Sequence, residues 1–366
     1  MIRLGRSRRG APARPAAVAG TVLAVTVLAL LAGCGGGGGG ADAAAVRRTP
    51  GRTDPSAGAP PASATPVTTT VALPAVDRTY PVGVRTATYV DPTRPTAAIP
   101  GYGGASSRTF PVTVWYPATG DPNAAVAENA PPDRSGGPYP LVVFAHGYAV
   151  TPQFYAELLQ RWAAAGYVVA APTYPLLSGV PAGPSHDDYS LVFADTSFVL
   201  TRLLADLGAG PGADPLAGLV DPTRVAAAGQ SDGEVVAYGL GALQCCRDPR
   251  VKSVVAMAGI LGNVANPVQR DNGVPVMHLM GSADELQPYD DAIAWDRANL
   301  GAPRWMVTLV GGTHAPPYRS PASPYFDGVV RMTTDFLDGT LKGRPDRLTR
   351  IDATVNADPA HFRLER

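Results

Sequence analysis

Short, mainly apolar runs recur along this chain with helical stretches between them, and few architectures tolerate that rhythm. The runs cover residues 141–145, 167–171, 225–229, 251–257, 276–280 and 305–310. A segment that is apolar at every position reads as a strand covered on both faces, not one half-exposed to water. Residues 152–165, 193–207, 232–243, 289–299 and 326–337 read as helices, the first with a proline in its first turn and Gly166 just past its end. Residues 112–116 alternate and stop at Pro117, as an early strand should. Such alternation predicts an α/β class domain with a mainly parallel central sheet flanked by helices on both faces.

Composition sets the limits of that domain. The chain has 366 residues with 30 Lys+Arg against 30 Asp+Glu, so no global field recruits nucleic acid. Much of its surplus of 41 Gly and 38 Pro lies in the run Gly35 to Gly40 and in a Pro/Ala/Thr/Ser stretch reaching about Pro74. Such segments are too poor in large apolar side chains to offset chain entropy. The expected organisation is a leader at 1–33, a flexible tether at 34–79, a folded domain at 80–345 and a loose polar tail at 346–366. About 265 folded residues suffice for one domain that buries roughly three quarters of its unfolded surface.

The leader reads as an export signal. Arg3, Arg6, Arg8, Arg9 and Arg14 precede an apolar run over 16–31, shorter than the ~20 residues that span a bilayer. It closes on Leu31-Ala32-Gly33-Cys34, which resembles the lipobox of bacterial lipoproteins. That resemblance implies cleavage before Cys34, lipidation of its thiol and a cell-surface protein held to the membrane through Cys34. A plain secretory signal with release of the chain is the alternative.

The chemistry concentrates in Gly229-Gln230-Ser231-Asp232-Gly233. It lies between an apolar strand and a helix, the setting a G-x-S-x-G nucleophile elbow requires. A serine there sits on a sharp turn at a helix N-terminus, favourable for developing negative charge. Ser231 then needs a base and the base an orienting acid. Of five histidines, His314 in Gly311-Gly-Thr-His-Ala315 follows the last apolar strand and can reach the strand ends. His278 lies inside a strand and is expected to pack. His361 falls in the tail, and His186 lies in a proline-rich loop with no strand to fix it. His146 belongs to a turn better suited to presenting backbone N–H groups. Asp284 follows the 276–280 strand, with Glu285 as its competitor, and the chain order Ser231, Asp284, His314 is the α/β-hydrolase order. The backbone N–H groups of Asp232 and Tyr148 are the candidate oxyanion donors.

These motifs, with Val114-Trp-Tyr-Pro117 and His146-Gly-Tyr148, resemble the α/β-hydrolases over about residues 80–341. They resemble in particular the secreted branch of platelet-activating-factor acetylhydrolase-like esterases and cutinase-like polyester hydrolases. The resemblance implies the α/β-hydrolase fold, hydrolysis of small-molecule, lipid or polyester esters through an acyl-enzyme, and no cofactor or metal. Acidic Asp232 and Glu234 beside the nucleophile depart from the pattern. Asp232 would oppose an oxyanion if turned inward, so it is expected to point away or to pair with an arginine. Competing functions are a peptidase or acyltransferase with the same triad, and a non-catalytic binding module on a hydrolase scaffold. The remaining cysteines, Cys245 and Cys246, are adjacent. Their Cα atoms lie ~3.8 Å apart, below the usual ~4.4 Å for a bridge, which leaves a vicinal disulfide or two free thiols.

Overall fold

The computed structural model describes residues 79–180, 183–208, 214–260, 273–298 and 303–365. Cys34, the leader and nearly all of the tether lie outside them. Strand β1 (Val82–Asp91) pairs antiparallel with β2 (Arg108–Pro117), and the short β3 (Ala127–Glu128) closes that edge. The expected runs then follow as β4 (Tyr139–Ala145), β5 (Val168–Pro172), β6 (Val220–Gln230), β7 (Val251–Met257), β8 (Val276–Gly281) and β9 (Arg304–Leu309). They alternate with helices α1 (Ala156–Ala164), α2 (Val192–Leu207), α3 (Asp232–Ala242) and α4 (Tyr289–Ala298). After β9 come the short α5 (Pro316–Arg319), then α6 (Phe326–Leu341), α7 (Asp346–Ala357) and β10 (Phe362–Glu365).

The ten strands form one sheet in the order β10-β9-β8-β7-β6-β4-β5-β2-β1-β3. From β9 to β5 every pairing is parallel. Strands β4, β5 and β8 are buried along their whole length because both faces are covered. Val142 and Phe144 of β4 join a core with α1, α6 and α7, whereas Val143 and Ala145 join a second core with α2 and α3. Register brings Ala145, Gly229 and Ala256 level across β4, β6 and β7, so the turns after these strands open on one edge.

The C-terminal segment departs from its expected loose tail. Residues 346–357 form α7, and 362–365 form β10, which adds antiparallel to β9. Ile351, Val355 and Phe362 are buried. Only these few apolar side chains anchor the segment, and its solvated face supplies the polar composition that hides it. The folded domain therefore continues to residue 365. Cys245 and Cys246, just past α3, are joined in a vicinal disulfide, so they are not free thiols.

Candidate active site

Strand β6 runs directly into α3, and Ser231 is the hinge between them. Its backbone adopts φ 60° and ψ −128°, a left-handed conformation that costs a non-glycine residue on the order of 1–3 kcal/mol. Tight packing on both sides holds it there. A β-carbon on Gly229 would lie 2.0 Å from the Gly233 carbonyl oxygen, and one on Gly233 would lie 2.0 Å from the Ala145 carbonyl oxygen. The glycines of the motif are therefore demanded by backbone contact. The Ser231 N–H donates to the Met257 carbonyl at 2.9 Å, tying the turn to β7.

The residues expected to act with Ser231 converge on it. His314 Nε2 lies 3.0 Å from Ser231 Oγ, and His314 Nδ1 lies 2.8 Å from Asp284 Oδ2. Asp284 is held in turn by the N–H groups of Leu286 and Gln287, both at 2.9 Å from Oδ1. Glu285, the competing acid, accepts the backbone N–H of His314 at 3.1 Å. The two carboxylates divide the work: Asp284 orients the ring and Glu285 holds the backbone beneath it.

The other histidines sort by their surroundings. His146 is fully buried; its Nδ1 bonds the Gly147 carbonyl at 2.8 Å and its Nε2 accepts the Tyr174 N–H at 3.1 Å. Burial holds it neutral, with its pKa lowered to about 4. His278 is packed as expected, 3.1 Å from the buried Glu234. His361 bonds Asp358 at the start of β10.

His186 has a role that the sequence did not suggest. Its Nε2 lies 2.6 Å from Asp232 Oδ2, and its ring stacks on Tyr148 at 4.2 Å and 16°. Asp232, expected to point away or to pair with an arginine, instead bonds a histidine from the proline-rich loop. That loop is fixed from both sides. The Tyr148 hydroxyl donates to the Pro184 carbonyl at 3.0 Å, and the Tyr189 hydroxyl donates to the Asp232 carbonyl at 2.7 Å. Below them the buried Arg108 donates to Asp188 and Asp195. The turn carrying Tyr148 also borders the nucleophile, since a β-carbon on Gly147 would lie 3.1 Å from Ser231 Cβ.

A second set of residues behind Ser231 carried no signal in the sequence. Gln230, fully buried, donates from Nε2 to the His314 carbonyl at 3.0 Å and lies 3.2 Å from His314 Nε2. Its Oε1 accepts from the Tyr155 hydroxyl at 2.7 Å and from Arg319 Nη2 at 2.6 Å. Tyr155 accepts the Gly147 N–H at 3.2 Å. Nothing local marks Tyr155 or Arg319, and Gln230 is one of the two unspecified positions of its motif. Among the described residues no group of three or more His, Cys, Asp or Glu side chains is placed to hold a metal ion.

Sheet order, the strand-to-helix elbow and the positions of acid and base define the α/β-hydrolase fold, and this chain has it. A family model described as Chlorophyllase matches residues 112–268, a span that includes Ser231 but stops before Asp284 and His314. Among solved structures the chain is similar to a ferulic acid esterase from Streptomyces cinnamoneus, with a TM-score of 0.60 and 22% identity over 78% of this chain and 96% of that one. No curated protein is significantly similar in sequence. Neither match speaks for the platelet-activating-factor acetylhydrolase or cutinase branch in particular.

Proposed function

We propose that the chain is a serine carboxylic-ester hydrolase working through an acyl-enzyme. The observation that carries this reading is the unbroken relay from Ser231 Oγ through His314 to Asp284, with contacts of 3.0 and 2.8 Å. His314 Nε2 takes the Ser231 proton as Oγ attacks the ester carbonyl, then gives it to the departing alcohol; water repeats the cycle to release the acid. Asp284 holds the tautomer with hydrogen on Nδ1. The N–H groups of Asp232 and Tyr148 serve as oxyanion donors, each worth about 3–4 kcal/mol in the transition state. The similarity to a ferulic acid esterase supports ester over amide chemistry. Ser231→Ala is expected to lower kcat for p-nitrophenyl esters by about a millionfold and to abolish labelling by a fluorophosphonate. A variant that retains wild-type turnover overturns the mechanism.

We infer further that the protein is exported and lipidated at Cys34. The leader supports this, and so does the bridge between Cys245 and Cys246, since disulfides persist mainly in oxidising compartments. Metabolic labelling with a clickable fatty acid tests it: the wild type should carry the label and Cys34→Ala should not.

A further inference from the structure

Arg319 stands apart from the other cations near the site. Its guanidinium lies 4.6 Å above the Tyr155 ring and donates through Nη2 to both the Tyr155 hydroxyl, at 2.7 Å, and Gln230 Oε1, at 2.6 Å. Among the described residues no carboxylate pairs with it, and its buried Nε has no hydrogen-bond partner. A half-buried cation without a counter-ion is a poor structural prop, because desolvation opposes it and no ion pair offsets that cost. What it contributes is direction. The NH2 end of Gln230 is drawn to the His314 carbonyl, which only accepts, and its oxygen end to Arg319, which only donates. Arg319 and the His314 carbonyl together hold oxygen as the end of Gln230 that faces the guanidinium and the NH2 as the end that faces His314.

That orientation bears on the base. An amide NH2 beside His314 Nε2, at 3.2 Å, is compatible only with an Nε2 that carries a lone pair. This is the tautomer able to accept the serine proton, with hydrogen on Nδ1 toward Asp284. With the amide reversed, its oxygen would accept hydrogen from Nε2 and favour the tautomer that cannot act as base. The same Tyr155 hydroxyl accepts the Gly147 N–H, so the polarity set by Arg319 extends to the turn that carries Tyr148. We propose that Arg319 is a positioning residue that reinforces, through Gln230, the reactive tautomer of His314 that Asp284 holds from the other side of the ring, without touching substrate. The proposal rests on the serine-hydrolase reading above.

The test combines Arg319→Met, Arg319→Lys, Gln230→Met and the double variant Arg319→Met/Gln230→Met, read by ester turnover, melting temperature and rate of fluorophosphonate labelling. Arg319→Met is expected to lower kcat by about 10- to 100-fold, as small misorientations of catalytic groups do, with KM within about twofold and little change in melting. Arg319→Lys, which also only donates, should recover most of that loss. In the Gln230→Met background the further change to Arg319→Met should cost less than about twofold, since coupled residues lose their effect together. Independent, multiplicative losses overturn the proposal, as does an effect confined to KM, which would make Arg319 a substrate contact. An unchanged kcat overturns it too. A wild type that labels but turns over no ester removes the ester reading alone, because Arg319 dependence is still read in the labelling rate. A wild type that does neither removes both.

Discussion

Ser231 is held in a conformation that its own side chain disfavours, and that separates its chemical role from its structural cost. Replacing it with glycine relieves the left-handed backbone, whereas alanine keeps the penalty of a β-carbon. Both variants should be inactive, but Ser231→Gly is expected to be more stable than Ser231→Ala by about 1 kcal/mol, seen as a melting temperature roughly 2–4 °C higher. Equal melting of the two would show that the turn stores no strain. At this scale the sequence was legible where chemistry leaves a local pattern. The glycines around Ser231, the strand before Asp284 and the turn bearing His314 each mark their residue. Arg319, Tyr155 and Gln230 were not legible, because their association depends on sequence separations of 75, 89 and 164 residues. Asp232 was half legible: an acid beside the nucleophile called for a partner, but its spacing did not say which side chain the proline-rich loop would offer.

Among the elements, the buried strands were the most legible because full coverage on two faces writes an uninterrupted apolar run. Strand β5 and the C-terminal halves of β4 and β6 follow directly from that rule. Elements at the rim write weaker patterns, and α7 and β10 were lost among charges for that reason. Their packing is nonetheless substantial. Phe362 is buried against α6, where a β-carbon on Gly328 would lie 2.3 Å from its ring, and β10 makes four paired positions with β9. A chain ending at Gly343 would expose the edge of the strand that leads to His314. It would also lose three buried apolar side chains, each worth about 1.5–3 kcal/mol. The expected result is a fall in melting temperature of roughly 10 °C or more, or insolubility, measured against the full chain by thermal denaturation. A truncated chain that melts with the wild type would return the segment to the status of a tail.

At the scale of the whole molecule, His146 makes a contribution to stability that declines on mild acidification. Folded, it stays neutral down to about pH 4; unfolded, it takes up a proton near its ordinary value of about 6.5. Between those values the unfolded state binds more protons, so its contribution is complete above about pH 6.5 and is lost progressively toward pH 4. The full difference is on the order of 3 kcal/mol. When denaturant midpoints are measured from pH 7 to pH 4, the stability of the wild type relative to His146→Asn should fall as the pH falls. A slope unchanged in the variant would assign the acid sensitivity to other groups.

The wide spacing of the reactive side chains along the chain has a consequence for how folding can be followed. Ser231, Asp284 and His314 follow the ends of β6, β8 and β9, and His314 bonds Ser231 across 83 residues. No fragment that lacks any of the adjacent strands β6 to β9 can assemble the three. Fluorophosphonate capture during refolding therefore acts as a clock for completion of the sheet: it should lag behind the return of helical signal and coincide with the last cooperative phase.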